Sequence, residues 1–188
     1  MAEKQFISAQ ELLEDSFRLG LRILESDFRP NFIVGVWRGG TPVGIAVQEL
    51  LDYFGVKTDH ISIRTSSYSG IDERDTHVRV HGLGYLIDNM NAEDGLLIVD
   101  DVYDTGLSIK SIVEELGLRG RRNTPDDIRV ATTYYKPRNN RTDRVPDYYI
   151  HKTDKWLIFP HELDGLSREE ILQNKLGFRD LLEEFGAL

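Results

Sequence analysis

Residues 96–108 constrain the fold of this chain more than any other stretch. Leu96, Leu97, Ile98 and Val99 form a short, uninterrupted apolar run, the pattern of a strand buried on both faces of a parallel sheet. Asp100 and Asp101 follow at once, and Asp104, Thr105, Gly106 and Ser108 then make a small-residue turn into a helix expected over Ser108 to Leu116. In open α/β sheets, groups at the carboxyl ends of strands face the ligand-binding crevice. Backbone N–H groups and two hydroxyls converge here on a helix N-terminus, where negative charge is favoured.

The flanking sequence repeats the strand-then-helix order. Ser8 and Glu11 have the spacing of a capping box, with Leu12, Leu13, Phe17, Leu21 and Leu24 recurring after them, which predicts a first helix to about Ser26. Phe32–Trp37 reads as a buried strand, Arg38 to Thr41 as a turn, and Pro42 to about Phe54 as a helix. Lys57 to Arg64 is expected to be a strand, and the polar stretch from Thr65 to about Val80, with no apolar period, a mobile loop of the kind that forms lids. Further strands are expected at 128–135, 147–150 and 156–159, a basic loop at Arg119 to Arg122, and weakly amphipathic helices at 168–174 and 177–185. Alternating strands and helices predict an α/β protein with a mainly parallel sheet and right-handed crossovers. At 188 residues the chain suits one domain rather than two.

Composition removes several classes of function. There is no cysteine, hence no disulfide and no thiolate metal site, and the five histidines lack metal-ligand spacing. No apolar run approaches the roughly 18 residues of a membrane span, and the N-terminus lacks the order of a secretory signal, so a cytoplasmic location and no membrane partner are expected. A net charge of −9 argues against nonspecific nucleic-acid binding. It also means that a polyanionic ligand must be held by local devices: backbone amides, one or two cations, a divalent metal. The acids at 100 and 101 suit sugar hydroxyls or Mg²⁺, and the turn after them suits phosphate, so a phosphorylated sugar matches the order of groups. By themselves, acids in such a turn also do no more than cap a helix.

Asp100-Asp101 followed by Asp104-Thr105-Gly106-Leu107-Ser108 resembles the phosphoribosyl pyrophosphate motif of the type I phosphoribosyltransferases, with Ser108 where that family more often has Thr. The resemblance implies a twisted, mainly parallel sheet flanked by helices, with a small hood at about 147–165 within a single domain. Other segments fall into the same order. Arg38-Gly39-Gly40, an ordinary turn in isolation, resembles the pyrophosphate loop, whose peptide is often non-proline cis and which usually has a residue smaller than Trp37 before the cation. Ser67 and Tyr68 match the Ser-Tyr of the closing lid. Lys136 matches the residue that hydrogen-bonds the 6-oxo group of a purine, since an ammonium donor pairs with a carbonyl and meets only another donor at an amino group. Trp156 and Leu157 occupy the places of the stacking aromatic and of the backbone that contacts the ring edge. Glu162 matches a carboxylate holding Mg²⁺ through water, and His161, where close relatives have Trp, takes no catalytic role.

The family resemblance thus implies purine salvage, in which hypoxanthine, guanine or xanthine and phosphoribosyl pyrophosphate give a nucleoside 5′-monophosphate and pyrophosphate. Mg²⁺ is the implied cofactor, Asp104 the implied catalytic group at the purine N7, Asp100 and Asp101 the metal or ribose ligands, and a homodimer or homotetramer the implied assembly. A phosphoribosyltransferase for another base and a noncatalytic regulator that senses phosphoribosyl pyrophosphate are the alternatives. The arginines at 119–122 and Arg138, Arg141 and Arg144 are expected to be solvated surface.

Overall fold

A computed structural model describes residues 3–69 and 76–187, without the side chains at 67–69, 76 and 77. The chain divides into two compact units, one of residues 13–154 and one of residues 1–12 with 155–188. The larger unit holds a six-stranded sheet of β2 (Phe32–Trp37), β3 (Asp59–Ser69), β4 (Thr76–His81), β5 (Gly95–Tyr103), β6 (Asp127–Tyr135) and β7 (Tyr148–Lys152) in the order β4-β3-β2-β5-β6-β7. All neighbours are parallel except β3 and β4, which are antiparallel. The smaller unit pairs β1 (Lys4–Phe6) with β8 (Trp156–Ile158) in parallel and carries α5 (Arg168–Asn174) and α6 (Phe178–Glu184).

The central strands are apolar on both faces because helices cover both. On one face Val34, Val36, Leu96, Ile98 and Val130 join Leu83 and Leu86, at the start of α3 (Gly84–Asn89), and Ile109, Ile112 and Leu116 of α4 (Leu107–Gly120) in one core. Against the other pack the buried Val43, Ala46, Val47 and Leu51 of α2 (Gly40–Tyr53), which lies on β2 and β5. From β2 the chain turns outward to β3; from β5 it turns the opposite way to β6. The crevice for a ligand therefore lies between β2 and β5 at their carboxyl ends. There the β2–β5 ladder stops at Gly35↔Val99, one residue before Asp100.

The structure corrects several expectations. The stretch from Thr65 is not a loop throughout: β3 runs on to Ser69 and pairs with β4 from Arg64↔His81 to Ser69↔Thr76. This ribbon is polar, so the hydrophobic alternation that marks a half-buried strand is missing from its sequence. The side chains of Ser67 and Tyr68 lie outside the described residues. Helix α1 (Ala9–Glu25) buries Leu12, Ser16, Leu19 and Ile23, while Leu13, Phe17 and Leu21 face outward. The basic loop is the last turn of α4 followed by a short 3-10 turn at Arg121–Asn123. Tyr148–Lys152, assigned from sequence to the hood, is the edge strand of the main sheet, next to β6.

Candidate active site

Strand β5 extends to Tyr103, so both acids of the pair sit on a strand whose ladder with β6 continues to Tyr103↔Tyr135. Asp101 is buried, its Oδ1 accepting the Val102 N–H at 2.8 Å, and its carbonyl accepts the Thr133 hydroxyl at 2.7 Å. Asp100 Oδ1 accepts the Asp101 N–H at 3.0 Å. Burial, and after it the neighbouring Asp101 charge, push the Asp100 carboxyl well above the usual carboxylate range, against the opposing pull of the Asp101 and Gly40 backbone N–H donors. A divalent cation or a row of sugar hydroxyls would relieve that charge.

The two strand ends meet closely. A Cβ on Gly39 would collide with the Asp101 carboxylate, and one on Gly40 with the Val99 carbonyl and the Asp100 Cα. Only glycine lets the turn after β2 lie against the acid pair. The Trp37–Arg38 peptide that leads into this turn is cis, and both side chains are exposed.

After β5 the chain turns through Asp104, Thr105 and Gly106 into α4. Gly106 has φ of 77°, and a Cβ there would lie 2.5 Å from the Tyr103 hydroxyl and 2.8 Å from Thr142 Oγ1. That hydroxyl is buried under the turn, 3.0 Å from Thr142 Oγ1 and donating to the Arg144 carbonyl at 3.0 Å. The first N–H groups of α4 have no intrahelical acceptor. They open beside a shallow pocket lined by Asp100, Val102, Tyr103, Asp104, Thr105, Gly106, Ser108 and Ile109. This concavity has acids along one side and a helix N-terminus with two hydroxyls at its end.

A sequence model of the phosphoribosyl transferase domain matches residues 5–165. The chain belongs to that family. It is 28% identical over 150 residues to a hypoxanthine-guanine phosphoribosyltransferase of Lactococcus lactis, covering 78% of this chain and 74% of the relative. A crystal structure of a purine phosphoribosyltransferase from Pyrococcus horikoshii superposes with a TM-score of 0.71 at 28% identity, covering 88% of this chain and 98% of the other. A hypoxanthine phosphoribosyltransferase from Trypanosoma cruzi shares the fold at 21% identity and a TM-score of 0.59, over 81% and 80% of the two chains.

Within this phosphoribosyltransferase fold, the loop after β6 backs the turn from β5 into α4. Lys136 is buried, its N–H donates to the Tyr103 carbonyl at 2.9 Å, and its Nζ lies 3.3 Å from Asp104 Oδ2. Asn139 Nδ2 donates to Asp104 Oδ1 at 2.7 Å, and the Arg141 N–H to the Thr105 carbonyl at 3.0 Å. Sequence reasoning missed Asn139, Thr133 and Thr142. Each acts through a pairing between segments distant in the chain, and the only local hint was their closeness to a strand end. Arg144, expected on the solvated surface, is half-buried, donates to the Ile128 carbonyl and lies 3.7 Å from Asp147.

In the smaller unit Trp156 is 59% exposed, while the next two residues of β8, Leu157 and Ile158, are buried. Glu162 closes a tight turn with Phe159: its Oε2 accepts the Phe159 N–H at 2.9 Å and its own N–H donates back at 3.0 Å. Lys175 Nζ donates to the same Phe159 carbonyl at 2.6 Å, and burial holds this ammonium below its ordinary pKa, opposed by Glu162. Among the described residues no three His, Asp or Glu side chains cluster as a metal site, so a cation here would take most of its ligands from substrate and water.

Proposed function

We propose that the chain transfers the 5-phosphoribosyl group of phosphoribosyl pyrophosphate to a 6-oxopurine. The observation that carries this reading is the placement of Asp104 at the rim of the phosphate pocket with the Lys136 ammonium beside it, a proton acceptor and an oxo-group donor side by side. The 5′-phosphate takes the N–H groups and hydroxyls of Thr105 to Ser108 at the start of α4. Asp100 and Asp101 take the ribose hydroxyls, directly or through a cation. Arg38 with Gly39 and Gly40 takes pyrophosphate.

In the reaction the bond from C1′ to the pyrophosphate oxygen breaks, the bond from C1′ to purine N9 forms, and the N7 proton passes to Asp104. The hydrogen bond from Lys136 to O6 selects a 6-oxo over a 6-amino base. Trp156 offers an exposed face on which a purine can stack, with the Leu157 backbone at the ring edge. The raised Asp100 pKa and the closeness of Asp101 fit a divalent cation, for which Mg²⁺ is the expected species, with Glu162 contributing through water. Bound there, the cation would offset the negative charge of the leaving pyrophosphate.

The test is pyrophosphate release from phosphoribosyl pyrophosphate and Mg²⁺ with hypoxanthine, guanine, xanthine, adenine, uracil and orotate in parallel. Turnover with one or more 6-oxopurines alone is expected. Turnover only with a pyrimidine would overturn the assignment of the base, and silence with phosphoribosyl pyrophosphate still bound would replace the enzyme with a sensor.

A further inference from the structure

Two donors from one loop hold the Asp104 carboxylate, Lys136 Nζ at 3.3 Å from Oδ2 and Asn139 Nδ2 at 2.7 Å from Oδ1. They are not equivalent for a group that must accept a substrate proton. Lys136 is also the proposed donor to the purine oxo group, so its contact with Oδ2 is one that a bound base would take away. Asn139 has no such second task and can orient one oxygen throughout. Orientation is needed, because the Asp104 side chain is 41% exposed and the last torsion of an aspartate is broad. The loop can hold its geometry, since the Lys136 N–H is fixed to the Tyr103 carbonyl at 2.9 Å, the Asn139 N–H to the Lys136 carbonyl at 3.1 Å and the Arg141 N–H to the Thr105 carbonyl at 3.0 Å.

We infer that Asn139 is a positioning residue for Asp104, holding Oδ1 in place when the oxo group of the bound purine draws Lys136 away from Oδ2. Oδ2 is then left facing the N7 proton, and its partner cation has moved to the substrate. Arrival of a 6-oxo base thereby leaves the carboxylate oriented by Asn139, with its other oxygen turned to the substrate proton. This inference rests on the 6-oxopurine reading of the site.

Steady-state kinetics of Asn139→Ala and Asn139→Asp, each in the native and the Asp104→Asn backgrounds, test it. Asn139→Ala is expected to lower kcat about ten- to a hundredfold, the loss of one hydrogen bond to a charged group, with the KM for phosphoribosyl pyrophosphate unchanged. Asn139→Asp keeps the shape but puts a like charge beside Asp104, and is expected to lower kcat further. In the Asp104→Asn background Asn139→Ala should change nothing more, because its effect passes through the carboxylate. A native kcat in Asn139→Ala, or a loss of equal size in both backgrounds, would overturn the inference. If no 6-oxopurine turns over, the functional reading falls and takes this one with it; if turnover is present and Asp104→Asn cripples it, Asn139 alone is on trial.

Discussion

At the scale of single residues the site is a set of carboxylates with unlike surroundings. Asp104 is half-exposed and paired, which suits a group that takes and returns a proton, so Asp104→Asn is expected to cut kcat by about 10²–10⁴-fold while the KM for phosphoribosyl pyrophosphate holds. Steady-state assays in both substrates separate the two effects, and an unchanged kcat would remove Asp104 from the chemistry. Asp100 is the opposite case: burial and the Asp101 charge raise its pKa. For an acid shifted upward, the folded state holds the proton more tightly than the unfolded chain. Its contribution therefore lowers stability as pH rises through the window between the ordinary carboxylate value and the raised one, and vanishes below that window. Asp100→Asn should then melt above the native protein at neutral pH, with the gap closing on acidification. It should also gain less from added Mg²⁺, because the charge that the cation relieves is gone. Identical melting curves at every pH would show that the carboxyl is not strained by its place.

At the scale of elements the turn from β5 into α4 is the most constrained piece of chain. Gly106 needs its left-handed backbone, and the Tyr103 hydroxyl fills the space where a side chain would go. Gly106→Ala is expected to destabilise the fold by roughly 2–4 kcal/mol, one part from the backbone and one from the clash, and to raise the KM for phosphoribosyl pyrophosphate. Denaturant unfolding measures the first effect, and adding Tyr103→Phe should recover only part of the clash, because Thr142 Oγ1 and Tyr103 Cε1 would still lie 2.8 Å from the new Cβ. This turn was legible in sequence because each constraint there is local: apolar run, acids, small residues, helix. The β3–β4 ribbon was not, since neither of its strands carries the apolar alternation that reveals a sheet face. On α1 the spacing predicted the helix and left open which side faces inward. Leu13, Phe17 and Leu21 have helical spacing as good as that of Leu12, Leu19 and Ile23, and only packing distinguishes the outward set from the inward one. The acid pair, Arg38-Gly39-Gly40 and Lys136, singled out in the sequence with the help of the family resemblance, lie at the carboxyl ends of β5, β2 and β6 in the larger unit. The supports Thr133, Asn139 and Thr142 could not be singled out, because a hydrogen bond between residues 35 or so apart leaves no periodic trace.

For the whole molecule the governing fact is that an acidic chain is proposed to bind a polyanion. With a net charge of −9, the long-range field opposes the approach of phosphoribosyl pyrophosphate, and under the proposed function attraction would begin only within reach of Arg38, the α4 N-terminus and a cation held at the acid pair. Those short-range contacts are screened little by salt once formed, whereas the opposing long-range term is screened strongly, over a Debye length of about 10 Å at 0.1 M. The two terms predict opposite signs for the effect of ionic strength. If the global field dominates the encounter, kcat/KM for phosphoribosyl pyrophosphate should rise, or at least hold, as monovalent salt goes from about 10 to 150 mM at fixed free Mg²⁺. A steep fall over the same range would mean that a local cationic funnel around Arg38 outweighs the net charge. In that case Arg38→Ala should abolish the salt dependence, placing the cation in the encounter as well as in the bound state.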